Sequence, residues 1–158
     1  MRYKTVLVLG ALLALPATAT PPPPPDRLAT EYFADASGRN LPFSEAVRAG
    51  NLLFLSGEIG TKPGTLDLVP GGIAPEARQT MENIKAKLLR RGASMNDVVK
   101  CTVFLADMKD WPAFNEIYRA FFPVNLPARS ALGANGLALG ARVEVECVAF
   151  APPTAPLR

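Results

Sequence analysis

Nine residues near the middle of the chain, VVKCTVFLA at 98–106, are almost wholly apolar and rich in β-branched and aromatic side chains. Such a run predicts a buried strand, and a buried strand needs partners that its neighbours in sequence must supply. The flanking segments change period. Ala77, Met81, Ile84 and Leu88 fall on one face of a helix over 76–91, with Gly92 placed as its C′ residue. Asp110-Trp111-Pro112 opens a second helix, in which Asp110 is the expected cap and Pro112 fits the first turn. Its apolar side is Trp111, Phe114, Ile117, Tyr118 and Phe121, and Pro123 ends it. Upstream, short strands over 45–48 and 52–56 flank the turn Ala49-Gly50-Asn51. A loop over 60–73 carries Pro63-Gly64 and Pro70-Gly71-Gly72, and strands over 129–134 and 141–150 close the domain. The order β-β-α-β-α-β-β makes an α+β fold, one mixed sheet backed by two helices. With 158 residues the chain is long enough for one domain.

Two helices cover one face of such a sheet and leave the other bare. In the last strand Val143, Val145 and Cys147 point one way, while Arg142, Glu144 and Glu146 point the other. A bare face of mixed character predicts burial against another copy, hence a symmetric oligomer with any site at the subunit seam.

The ends read differently. Met1-Arg2-Tyr3-Lys4, an apolar run over 5–15, and Ala17-Thr18-Ala19 have the form of a signal peptide cleaved after residue 19. Eleven apolar residues are about half of a membrane span, so no membrane partner is expected after cleavage. The domains expected are therefore a signal peptide (1–19), a proline-rich spacer (20–27), the folded domain (28–151) and a flexible tail (152–158). The location expected is outside the cytoplasm, periplasmic or secreted. Removing Arg2 and Lys4 from the 17 basic residues leaves the chain within one charge of neutrality against 14 acidic residues. Nothing in that balance calls for a nucleic-acid partner. Export permits a disulfide between Cys101 and Cys147 if their strands are neighbours with matching faces. Two buried free thiols are the simpler reading.

The chain contains no histidine. Ser-His-Asp and Cys-His catalysis and His-ligated zinc are thereby excluded, and two cysteines are too few for a Cys-rich metal site. Chemistry must run on arginine, lysine, carboxylates, hydroxyls, backbone groups or water. Within PARS at 127–130, Arg129 follows a rigid proline into a strand, where its fork of N–H groups suits a planar carboxylate. Glu144, fifteen positions later on the returning strand, is expected beside it, with a water to activate.

Four segments then carry a family resemblance: LPFSEAV at 41–47, LFLSGEI at 53–59, VVKCTVFLAD at 98–107, and PARS at 127–130 followed by VEVE at 143–146. Together they span about residues 31–151 and resemble the reactive-intermediate deaminase family (RidA-like, or YjgF-type). The resemblance implies a chorismate-mutase-like fold and a homotrimer whose sheets form a central barrel with three clefts between subunits. It also implies hydrolysis of 2-imino acids or enamines to 2-oxo acids and ammonia, with no metal and no organic cofactor. By position, Arg129 would clamp the substrate carboxylate and Glu144 would position water. Phe43, Ser56, Asn115 and the backbone of Ala131 would complete the cleft. Three positions depart from the pattern: Phe43 replaces a tyrosine, Ala131 a cysteine and Glu58 a glutamine. A second reading keeps the trimer as a non-catalytic module that binds small carboxylates, or as a holdase-like protein. An endoribonuclease role, also attached to the family, lacks a basic aromatic surface and a histidine base.

Overall fold

The central run of β-branched residues does form a strand, and the sheet is assembled around it. The computed structural model describes residues 30–151; the expected leader, spacer and tail lie outside the described residues. In chain order the described residues form strands β1 (Thr30–Phe33), β2 (Ala46–Ala49), β3 (Leu52–Leu55) and β4 (Glu58–Ile59), then helix α1 (Ile73–Arg90). Strand β5 (Val98–Leu105), helix α2 (Trp111–Ala120) and strands β6 (Ala128–Gly133) and β7 (Val143–Phe150) follow. The strand order is β1-β2-β3-β7-β5-β6, with β4 also paired to β7. Only β5 and β6 run parallel, because α2 carries the chain back across the sheet between them; every other pairing is antiparallel. The sheet is therefore mixed, as expected.

Alternation decides which face is buried. Leu53, Leu55, Cys101, Val103, Leu105, Val143, Val145, Cys147 and Ala149 point to the helices and are buried. They meet Ala77, Met81, Ile84 and Leu88 of α1 and Phe114 and Tyr118 of α2 in one core. Each fully buried aliphatic side chain contributes about 1.5–3 kcal/mol, set against the entropy of ordering it. On the other face Leu52, Phe54 and Phe150 remain 39–48% exposed beside Lys100 and Glu146, so the protomer leaves that side bare.

Four local expectations are corrected. Helix α1 starts at Ile73, not residue 76, because a first turn needs no apolar period and Pro75 sits there without losing an intrahelical bond. Its end behaves as expected: Gly92 takes φ 77°, and its N–H bonds the Leu89 carbonyl. Asp110 makes no capping bond, since its carboxylate pairs with Arg142 at 2.7 Å across the domain. Cys101 and Cys147 face each other in register and form a disulfide, not two free thiols. Strands β1 and β4 are additions to the expected order.

β3 and β4 lie in line along β7, but their registers differ by one residue. Phe54 pairs with Val148, while Glu58 pairs with Val145 instead of Glu144. The extra residue is taken up around Ser56-Gly57, a bulge-like break that redirects the chain next to Glu144. At the far end of the core, the buried Glu76 carboxylate accepts the backbone N–H of Arg142 at 2.6 Å, fastening the first turn of α1 to the entry of β7.

Candidate functional site

Arg129 lies on β6, the edge strand, opposite Cys101 in the parallel register. Its side chain therefore points to the helix-covered face, where α2 is waiting. The guanidinium carbon is 4.7 Å from the ring centre of Tyr118, 4.9 Å from that of Trp111 and 5.9 Å from that of Phe114. Among the described residues it makes no ion pair and no hydrogen bond. Arg39, Arg90, Arg91 and Arg142 each pair with a carboxylate. A guanidinium with its donors unoccupied can receive an arriving anion.

The guanidinium opens onto a cavity of about 280 Å³ lined by Asn115, Tyr118, Arg119, Leu126, Pro127 and Arg129. The Asn115 side-chain oxygen and the Tyr118 hydroxyl are both buried without a partner. Burial pushes the Tyr118 hydroxyl up to about 12, against the opposing pull of the Arg129 charge, so it stays neutral and able to donate through the ordinary pH range. Asn115, expected from sequence, thus sits in the same cavity as Arg129. Trp111 and Tyr118 were legible only as the apolar stripe of a helix; their contact with Arg129 adds a role that spacing alone does not separate from core packing.

Glu144 sits elsewhere. It is on β7, on the bare face of the sheet, with its carboxylate packed against Gly57 so closely that a β-carbon there would collide with it. Burial raises its pKa, helped by the nearby charges of Glu146 and Glu58. Across the sheet it is paired with Ile59 of β4 and Phe104 of β5, and Gly57 ends the bulge next to it. Ser56 donates its hydroxyl to the Ser44 carbonyl at 2.6 Å, holding the bulge to the loop that carries Phe43. Phe43 is more than half exposed. Glu58 is not a free negative charge, since Lys87 pairs with it.

The expectation that Glu144 lies beside Arg129 is corrected. Strand β5 separates β6 from β7, Arg129 aligns with Cys101 and Glu144 with Phe104, and the two side chains leave opposite faces of the sheet. The expected site residues therefore fall into two separate sets on the chain: Arg129, Asn115 and Ala131 by the edge strand, and Phe43, Ser56 and Glu144 around the bulge. Ala131, two residues after Arg129, shares its face and is half-buried. A separate polar cavity of about 260 Å³ lies over α1, but its Arg39, Lys87 and Arg90 are each already paired, with Asp35, Glu58 and Glu45.

This single mixed sheet, with an unpaired arginine at its edge, has known relatives. Residues 34–151 match the family described as Endoribonuclease L-PSP, and the chain belongs to that family. Among its relatives, the 2-iminobutanoate/2-iminopropanoate deaminase of Mus musculus is 43% identical over 112 residues, covering 71% of this chain and 83% of the mouse protein. A putative endoribonuclease from Thermotoga maritima has the same fold, with TM-score 0.71 at 36% identity over 76% of this chain and 97% of that one. E. coli TdcF, solved with bound serine, gives TM-score 0.70 at 30% identity over 76% of this chain and 98% of its own.

Proposed function

We propose that the protein is a cofactor-independent deaminase that hydrolyses small 2-imino acids to 2-oxo acids and ammonia, acting as a homotrimer outside the cytoplasm. The observation that carries this reading is the Arg129 guanidinium, unpaired and facing a cavity sized for a small carboxylate. The mouse relative is named for 2-iminobutanoate and 2-iminopropanoate, and TdcF was solved with an amino acid bound. Each of those ligands carries a carboxylate next to a nitrogen-bearing carbon.

The chemistry asks little of the protein. A protonated imine is already electrophilic, so orientation and one placed water supply most of the acceleration. Arg129 binds both carboxylate oxygens and fixes the plane of the adjoining C=N bond. Glu144 takes a proton as water adds to the imine carbon, then returns it to nitrogen as the carbinolamine collapses. The C–N bond breaks as the hydroxyl oxygen's electrons form the carbonyl, Glu144 takes the hydroxyl proton, and ammonia leaves and carries that proton away as ammonium. A carboxyl with a raised pKa suits that exchange, because its carboxylate is a stronger base than an ordinary one and takes the water's proton more readily, while the acid form can still return it to nitrogen.

Joining the two sets needs a second copy, since each protomer's own sheet separates them. The bare sheet face supplies a surface for that association. Work outside the cytoplasm is supported by the buried Cys101–Cys147 disulfide, a bond at home in oxidising compartments, together with the leader-like start of the sequence.

The direct test supplies 2-iminobutanoate in situ from an amino-acid oxidase and follows its loss. Wild type is expected to outpace buffer, and Arg129→Ala to lose about 3 kcal/mol of transition-state binding, roughly 100-fold in kcat/KM. A wild type no faster than buffer defeats the enzyme reading. Unchanged activity in Arg129→Ala defeats the clamp.

A further inference from the structure

Arg129 is held in place by rings rather than by hydrogen bonds. Trp111 and Tyr118 stand 4.9 Å and 4.7 Å from its guanidinium carbon, distances at which the positive charge is attracted to the π-electrons of each ring. Arg91 offers the contrast within the same molecule. It lies 4.1 Å from the Phe33 ring, yet its Nη2 also donates to the Glu45 carboxylate at 2.9 Å, so a carboxylate of the chain already occupies it. Arg129 has the ring contacts without the carboxylate.

That difference has a chemical use. A guanidinium drawn to aromatic rings is steadied without spending its N–H donors on an acid of the chain, so a carboxylate can meet two of them at once. An internal acid would orient the group as firmly but would compete with the ligand. An unsupported arginine would offer its donors but would lose side-chain freedom on binding. Aromatic support avoids both costs.

We propose that Trp111 and Tyr118 form an aromatic clamp that pre-orients Arg129, with Trp111 as a positioning residue for carboxylate binding. This deepens the function proposed above, since the carboxylate is that of the imino acid or its oxo-acid product. Tyr118 is also a core residue, in ring contact with Phe114 and Phe122 at 5.5 Å and 4.8 Å. Trp111 is half-buried at the first position of α2, so it is the cleaner one to change. Lysine cannot stand in for Arg129, because an ammonium has no plane to stack.

The test has two arms. In the first, the Arg129 side-chain Nε–H resonance of the intact protein is located by its loss in Arg129→Lys. Ring currents are expected to displace it upfield in wild type, with most of the displacement gone in Trp111→Leu. A resonance at the ordinary arginine position in wild type overturns the clamp, whatever reaction the protein performs. In the second arm, 2-oxobutanoate binding is measured by calorimetry. Trp111→Leu is expected to weaken it about fivefold, while Trp111→Phe, which keeps a ring, stays within about twofold of wild type. Equal affinity in wild type and Trp111→Leu overturns the positioning role while leaving the deaminase reading intact. If wild type takes up no 2-oxobutanoate, the carboxylate reading falls, and the first arm still decides the clamp.

Discussion

Glu144 shows how far one side chain's surroundings set its behaviour. Burial, with Glu146 and Glu58 nearby, raises its pKa above the ordinary carboxylate value. The sign of the consequence follows from linkage. With the folded value raised, the fold favours the protonated acid, and that contribution is complete at low pH and lost as pH rises through the folded value. Glu144→Gln removes the ionisation altogether. Its unfolding midpoint relative to wild type is therefore expected to be higher at pH 8 than at pH 4, and thermal scans at the two values test this. The same variant is expected to lose most of kcat while keeping its affinity for 2-oxobutanoate, because Arg129 is untouched. An equal loss of both parameters would move Glu144 from proton transfer to binding. Gly57 belongs to this account: a β-carbon there would push the Glu144 carboxylate out of the place it holds.

At the scale of elements, what was legible followed what leaves a periodic trace. Strand β5, both helices and the β2–β3 turn with Gly50 at φ 58° were readable, because apolar spacing and a left-handed glycine are local signals. Strand β4 was not, since two residues hold no period and their strand character comes from pairing with β7. Among site residues, Arg129 and Asn115 were readable and do share a cavity. Which face Glu144 takes depends on a strand order that interposes β5, and sequence distance carries no such information. The disulfide is not legible for the same reason, because it needs Cys101 and Cys147 in direct register. It closes a loop of 46 residues, and the chain-entropy estimate for such a loop is roughly 4 kcal/mol. Cys101→Ala/Cys147→Ala is expected to unfold at distinctly lower denaturant than the oxidised wild type. Alkylation of denatured, unreduced wild type is expected to label neither cysteine; labelling of both would remove the bond from the account.

For the whole molecule the proposed function requires that two residue sets on opposite faces of one sheet be brought together. In the trimer proposed above, the edge of one protomer, bearing Arg129, would meet the bulge of the next, bearing Glu144. Light scattering on the eluting peak is expected to give three protomers, and a monomer mass would leave the two sets apart. Complementation separates a shared site from one within a single chain. Arg129→Ala and Glu144→Gln are each expected to be nearly inactive as homotrimers. Co-expressed in equal amounts, they mix at random, and a cleft works when one neighbour supplies the arginine and the other the glutamate. About a quarter of the clefts in such a ring meet that condition, so roughly a quarter of wild-type activity should return. If each protomer used its own Arg129 and Glu144, no mixed trimer would contain an intact site and nothing would return. Recovery therefore reports on subunit geometry rather than on either residue alone, and its absence from trimers shown by mass spectrometry to be mixed would place catalysis within the protomer.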